Sequence, residues 1–363
     1  MRAITSPRPA ARPPGPSPAR PAITASPGRP ADHGAVSSQT MNPVSTTAGP
    51  LLGFGIVLAA AALFGMLGPL ARFAYDAGME PTAFVAWRGV VALAASLAYV
   101  AWRVRRRGIR LVRLGDLPAR ARVLLVVAAT MGFTLNLSMF IAFDRITVAL
   151  ALLGFYTYPA MVAVLNVVLG RERLDTIRVV ALGLAIVGMI AVVASQLDPA
   201  GGLRIDVIGV ALALVAALSQ TVFVVIGRDG YREVPTEQAM TVVLGATAVG
   251  AIVLTVIGGS AASLIYPLQA PDVLPLLAFT GIFAAAIPSI GFLTGIRAIG
   301  GTRAGILMLF EPVVGVALAA WLLGESLVPV QLVGAMAILA AALVLQRSAG
   351  SDAAEPTAVH AGP

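Results

Sequence analysis

Ten apolar stretches dominate this chain, at residues 51–72, 82–102, 123–143, 147–169, 177–195, 205–226, 239–257, 274–295, 304–323 and 330–345. A bilayer core about 30 Å thick is crossed by about 20 apolar residues rising 1.5 Å each, so nearly every stretch is long enough to span. The runs are continuously apolar and lack the period-two alternation of barrel strands. The expected fold is all-α and membrane-integral, with ten transmembrane helices.

Composition narrows the chemistry available to such a bundle. Of the 363 residues 58% are hydrophobic and only 12% charged, whereas a soluble domain carries about 25% charged residues. A soluble enzyme is excluded on that balance. Cysteine is absent, which removes disulfides, thiolate nucleophiles and Cys-ligated metal centres. His33 and His360 lie in polar segments outside the apolar runs, so imidazole chemistry has no place in the membrane body. Only Glu311 supplies a carboxylate inside an apolar run, too little for a two-aspartate protease or a magnesium-dependent transferase. No GxxxxGK[ST] phosphate loop occurs, and neither nucleotide hydrolysis nor a cofactor is expected.

The formal charge of +8 rests on 25 basic residues, all arginine, and their placement explains it. With the N-terminal segment inside, 21 arginines fall in inner segments, eight of them between Arg103 and Arg122. Only Arg72, Arg145 and Arg204 are outside, and Arg88 lies within span 2. This is the positive-inside asymmetry. The expectation is a multi-pass protein of a bacterial plasma membrane with both termini cytoplasmic, and no nucleic-acid partner. The Arg103–Arg122 loop also suits anionic lipid headgroups, and membrane lipids are the other expected partner. Trp102, Tyr75, Tyr231 and Tyr266 stand at span ends and fit an interfacial aromatic belt.

The ends of the chain have a different character. Residues 1–50 are rich in Pro, Ala, Ser and Arg and are expected to be a disordered cytoplasmic tail. Met41 shortly precedes the first apolar run and is the expected translation start. Residues 347–363 form a short polar cytoplasmic tail.

The two halves of the membrane body resemble each other. A shift of 153 residues places Pro159 on Pro312, Leu165 on Leu318, Glu172 on Glu325 and Leu174 on Leu327, and a shift of 154 places Pro81-Thr82 on Pro235-Thr236. Residues 51–195 and 205–346 are thus two copies of a five-helix unit. Because five is odd, the copies enter the membrane in opposite directions. Two inverted halves provide near-equivalent inward-open and outward-open states, the basis of alternating access.

Pro159 followed by Leu169-Gly170-Arg171-Glu172-Arg173-Leu174, and Glu311-Pro312 followed by Leu322-Leu323-Gly324-Glu325-Ser326-Leu327, resemble the paired signatures of the EamA family of the drug/metabolite transporter superfamily. Arg88, in Trp87-Arg88-Gly89, is similar to an arginine often found there. The resemblance implies a ten-helix bundle around a central cavity and export or exchange of small metabolites. Gly170-Arg171-Glu172 replaces the commoner Leu-Gly-Glu of the second half, so the two helix ends are expected to close differently.

Six residues are the candidate substrate contacts: Arg88, Asn136, Tyr158, Gln220, Ser289 and Glu311. Glu311 suits a proton carrier or a cationic group, or else it satisfies backbone groups freed by Pro312. Arg88 suits a substrate carboxylate, or else it snorkels to the interface or pairs structurally. Asn136 and Ser289 are repeat equivalents. Residues two apart on a helix differ by about 200°, so Tyr156 and Tyr158 are expected to face different directions, as are Asn136 and Ser138. Polar groups of this kind also serve as interhelical hydrogen bonds, and Gly65, Gly68, Gly183 and Gly188 read as close helix contacts. The functional expectation is a secondary transporter of a small metabolite, an amino acid or related compound, acting as monomer or homodimer. A lipid scramblase or channel is the alternative.

Overall fold

The computed structural model describes residues 50–146, 148–172, 175–195, 206–323 and 328–354. The N-terminal segment expected to be disordered, and Met41, lie outside the described residues, as do Arg173, Leu174, Arg204 and the Gly324–Leu327 motif.

Ten apolar helical segments follow one another. We number them α1 (Pro50–Gly65, continued by Leu67–Asp76), α2 (Pro81–Arg107), α3 (Ala119–Arg145), α4 (Val148–Phe155 and Tyr158–Val168) and α5 (Thr176–Ala194). The second half comprises α6 (Val207–Asp229), α7 (Thr236–Ile257), α8 (Leu274–Gly281 and Ile287–Ile299, joined by a π-helical turn), α9 (Gly301–Met308 and Glu311–Leu323) and α10 (Pro329–Ala354). Among the described residues nine helical stretches are long and apolar enough to cross a bilayer, and Pro329–Leu345 is a shorter apolar one. The helix of α10 continues to Ala354, past Leu345 where the apolar stretch ends.

Packing follows a two-fold plan. Helix α1 lies on α8 as α6 lies on α3; α4 lies on α6 as α9 lies on α1; α3 lies on α7 as α8 lies on α2. The remaining large interfaces join equivalent helices, α2 with α7 and α5 with α10. Each of these interfaces maps onto another, or onto itself, when helix n is exchanged for helix n+5. The inversion is visible in single contacts: Asn166, near the end of α4, donates to the Thr302 hydroxyl at the start of α9 at 3.2 Å. Equivalent helices therefore run in opposite directions.

Glycine makes the tightest of these interfaces. A Cβ on Gly188 of α5 would stand 2.6 Å from the Gly334 carbonyl oxygen of α10, and one on Gly334 would stand 2.5 Å from that of Gly188. Backbone thus meets backbone where lipid tails supply no hydrophobic drive for association. Gly65 packs in the same way on α9, where a Cβ would lie 2.6 Å from the Glu311 carbonyl oxygen. Gly68 and Gly183 do not behave as expected: nothing stands within 4 Å of a Cβ at either position. Their neighbouring surfaces are open, so no close crossing depends on them.

The end bearing the Arg103–Arg122 loop, here the basic end, is held by side chains reaching across helices. Arg103 Nε donates to Glu237 at 3.2 Å. Arg297, at the end of α8, donates to the carbonyls of Gly227, Tyr231 and Val234 and to the Thr236 hydroxyl, clamping the α6–α7 turn. Its guanidinium also lies 5.4 Å from the Tyr231 ring centroid. Tyr231 is fully buried beneath it, which corrects the expected place of this ring in the interfacial belt. Burial pushes the Tyr231 hydroxyl up to about 12. Trp102 is exposed and stacks with Tyr99, as a belt residue would. At the opposite end Tyr266 donates to the Ala77 carbonyl and Trp87 Nε1 to that of Leu264 at 2.9 Å.

Candidate functional site

Among the interrupted spans, α4 and α9 are repeat equivalents. Helix α4 stops at Phe155 and resumes at Tyr158; α9 stops at Met308 and resumes at Glu311. The interruptions lie 153 residues apart, each ahead of a proline at the second position of the new half-helix. Proline has no N–H and its ring crowds the preceding turn, so the chain restarts its helix there with Pro in the first turn, where the missing donor costs little. Discontinuous helices of this kind leave backbone at membrane depth that can be tolerated only within protein or beside water.

The break overturns one expectation. Tyr156 and Tyr158 do not point apart: both interact with the Glu311 carboxyl group, and Tyr156 is near enough for a side-chain hydrogen bond. The 200° separation holds for an unbroken helix, whereas Tyr156 belongs to the interruption and Tyr158 begins the next segment. Both rings are buried, at 1% exposure, and Phe155 tilts against each, with centroids 5.3 and 5.2 Å away. Glu311 is half-buried and stands in the first turn of its half-helix, the end at which a carboxylate is favoured by the helix dipole. Its side-chain hydrogen-bond partner is the Tyr156 phenol.

A second polar centre forms around Arg88, which is 7% exposed. Arg88 does not snorkel. Its Nη2 donates to Asn136 Oδ1 at 3.0 Å, while Asn136 Nδ2 donates to the Gly132 carbonyl at 2.8 Å, which fixes the amide. Two candidate residues are thus brought together, α2 to α3. Tyr75 of α1 lies within electrostatic reach of the guanidinium. Arg88 and Glu311 have different partners and do not form an ion pair.

The other candidates are placed as follows. Gln220 is buried in α6, with its neighbour Thr221 donating to the Ala217 carbonyl at 2.8 Å and lying 3.5 Å from that of Tyr158. Ser289 is half-buried in α8, just after the π-helical turn. No recorded contact joins either to Arg88 or Glu311. Ser138 is buried while Asn136 is half-exposed, in keeping with their different directions.

Below the α4 break a cluster ties α4, α6 and α9 together at the basic end. Arg228 Nη1 donates to Glu172 at 3.1 Å, and Arg171 Nη1 to the Val225 carbonyl at 2.9 Å. Gly300, with φ +89°, passes under this pair: a Cβ there would lie 3.1 Å from Glu172 Oε1 and 3.2 Å from Arg228 Nη1. Sequence reasoning missed Asn166, Thr302 and Thr221. Asn166 carried a signal, being an amide inside an apolar run. A cleft of about 370 Å³ opens at the same end between Arg120, Arg171 and Ile226, and neither Arg88 nor Glu311 lines it.

An inverted-repeat, ten-helix membrane protein with paired broken helices is the class that this fold and site define. The chain belongs to the EamA-like transporter family, whose model matches residues 51–194 and 207–347. It is thus a membrane transporter of the drug/metabolite superfamily type, a family of carriers and not of enzymes. A solved crystal structure shares the fold with a TM-score of 0.64 at 19% identity, over 82% of this chain and 98% of the other. No curated protein matches the chain.

Proposed function

We propose that this protein is a secondary transporter that moves a small metabolite, an amino acid or related compound, across a bacterial plasma membrane by alternating access. The observation that carries this reading is the pair of broken helices α4 and α9, which restart at equivalent positions of inverted repeats and bring Tyr156 within hydrogen-bond reach, and Tyr158 within electrostatic reach, of Glu311. Discontinuous helices at a repeat interface are a recurrent way of building a solute site near the bilayer midplane. Arg88, Asn136, Gln220 and Ser289 complete the proposed solute path, with Glu311 as carrier of a proton or contact for an ammonium group. The arginine bias supports cytoplasmic placement of both termini. Family resemblance supports export as the direction.

Reconstitution into proteoliposomes tests the proposal. Vesicles preloaded with individual amino acids and related metabolites should show saturable counterflow of a labelled solute, accelerated from both sides. Ion flux or lipid scrambling without saturable counterflow would overturn it in favour of a channel or scramblase.

A further inference from the structure

We propose that Arg88 is an oxyanion anchor that receives a carboxylate of the transported solute; this deepens the transporter reading and rests on it. Arg88 carries a full positive charge within an apolar span, 7% exposed. Such a charge is expensive in a membrane unless it is paired. Among the described residues, no carboxylate lies within ion-pair distance of it. Its one recorded hydrogen-bond acceptor is the neutral amide of Asn136. Its Nε is buried and has no partner at all.

The guanidinium therefore has Nη2 bonded to Asn136 and a neighbouring Nε with no acceptor. Nε and Nη2 present parallel N–H groups that match the two oxygens of a carboxylate. Asn136 takes one donor at Nη2 and is itself held by Gly132, so it positions the fork without neutralising it. The backbone is equally fixed: Gly281 of α8 packs so closely that a Cβ would stand 3.1 Å from the Arg88 carbonyl oxygen. Tyr75 and Asn136, on the α1 and α3 sides of Arg88, are each half-buried.

Repeat symmetry argues against a purely architectural charge. The shift that superposes Pro81 on Pro235 puts Val242 of α7 at the position of Arg88, packed against the apolar core. The same scaffold is thus built once with a cation and once without. What distinguishes the first half is the capacity to hold an anion.

Purified full-length protein in nanodiscs tests this with paired probes: acetate, benzoate, L-leucine and L-phenylalanine, each against its amide, with inorganic phosphate as a further probe. The readout is the ligand-dependent rise in unfolding temperature, converted to an apparent dissociation constant. At least one acid should bind tighter than its amide, and Arg88→Gln should weaken that acid about tenfold to a hundredfold, as loss of a charged hydrogen bond implies. Arg88→Lys keeps the charge without the fork and should keep the preference for acid over amide at reduced affinity, which keeps the test open if Arg88→Gln does not fold. The proposal is overturned if no acid exceeds its amide, if a folded Arg88→Gln keeps the preference, or if phosphate stabilises as well as the acids. Counterflow without acid preference sinks the anchor and spares the transporter, whereas acid preference without counterflow does the reverse.

Discussion

Tyr158 and Glu311 occupy the same position in the two repeats, each the first residue of a half-helix and each directly before a proline, and they interact across the bundle. One scaffold position thus carries a phenol in the first half and a carboxylic acid in the second. The symmetry of the backbone sets the meeting point, and the asymmetry of the side chains gives it chemistry.

If Glu311 carries the coupling proton, Glu311→Gln removes the ionisable group while keeping the size of the side chain. Uptake or efflux driven by a pH gradient should be abolished, while counterflow at equal pH on both sides persists. The comparison is made in proteoliposomes with and without an imposed gradient; unchanged gradient-driven flux would remove the proton role.

Tyr156→Phe should separate packing from polarity at the same point. The ring still fills its buried place beside Phe155, but Glu311 loses its phenolic partner, a loss worth about 1–3 kcal/mol for a buried group. A lower unfolding temperature in Tyr156→Phe, and none in the double variant with Glu311→Gln beyond that of either single change, would measure the coupling.

The α5–α10 crossing has no room for a side chain at Gly188. Gly188→Val should cost at least about 1–3 kcal/mol from overpacking alone, because the atom it meets is the Gly334 carbonyl oxygen, part of a helix backbone. Gly183→Ala, five residues away and facing open space, should leave the unfolding temperature nearly unchanged. Equal losses for the two substitutions would contradict this packing.

Glu172 and Arg228 join α4 to α6 at the basic end, with Arg228 40% and Glu172 11% exposed. Solvent screens the pair, so a double-mutant cycle with Glu172→Gln and Arg228→Gln should give a coupling of roughly 0.2–1 kcal/mol. The charge-swapped protein, Glu172→Arg with Arg228→Glu, should recover part of any transport lost in the single reversals. No recovery would show that transport does not depend on this pairing.

At the other end Asp206 caps α6, accepting from the Ile208 amide at 2.9 Å, and pairs with Arg145 at 2.8 Å. The hydrogen bond from Arg145, reinforced by the Ile208 amide, holds its carboxyl below the usual carboxylate range. A depressed carboxyl contributes stability above its unfolded value and loses that contribution as pH falls through the folded one. Asp206→Asn should therefore lower the unfolding temperature slightly at pH 7, and the difference should shrink below about pH 4, near the ordinary aspartate value. A pH-independent difference would show that the cap, not the charge, is what matters.

What the chain alone determined were the properties set by local composition and period: the apolar runs, the asymmetric arginines, and the 153-residue repetition that with an odd helix count forces inversion. Those follow from the bilayer, which acts on each segment separately. Tertiary structure decided everything that depends on two segments at once. Whether Arg88 reaches the interface or Asn136, whether Gly68 or Gly188 meets a neighbour, and whether Tyr231 lies in a belt or under Arg297 are questions of which helix packs where. The α4 break lies between these levels. Pro159 and Pro312 were plain in the sequence, but helix geometry assumed continuous across them sent Tyr156 and Tyr158 to opposite sides. Only the restarted backbone brought both to Glu311, because an interruption removes the fixed rotation per residue on which that inference stood.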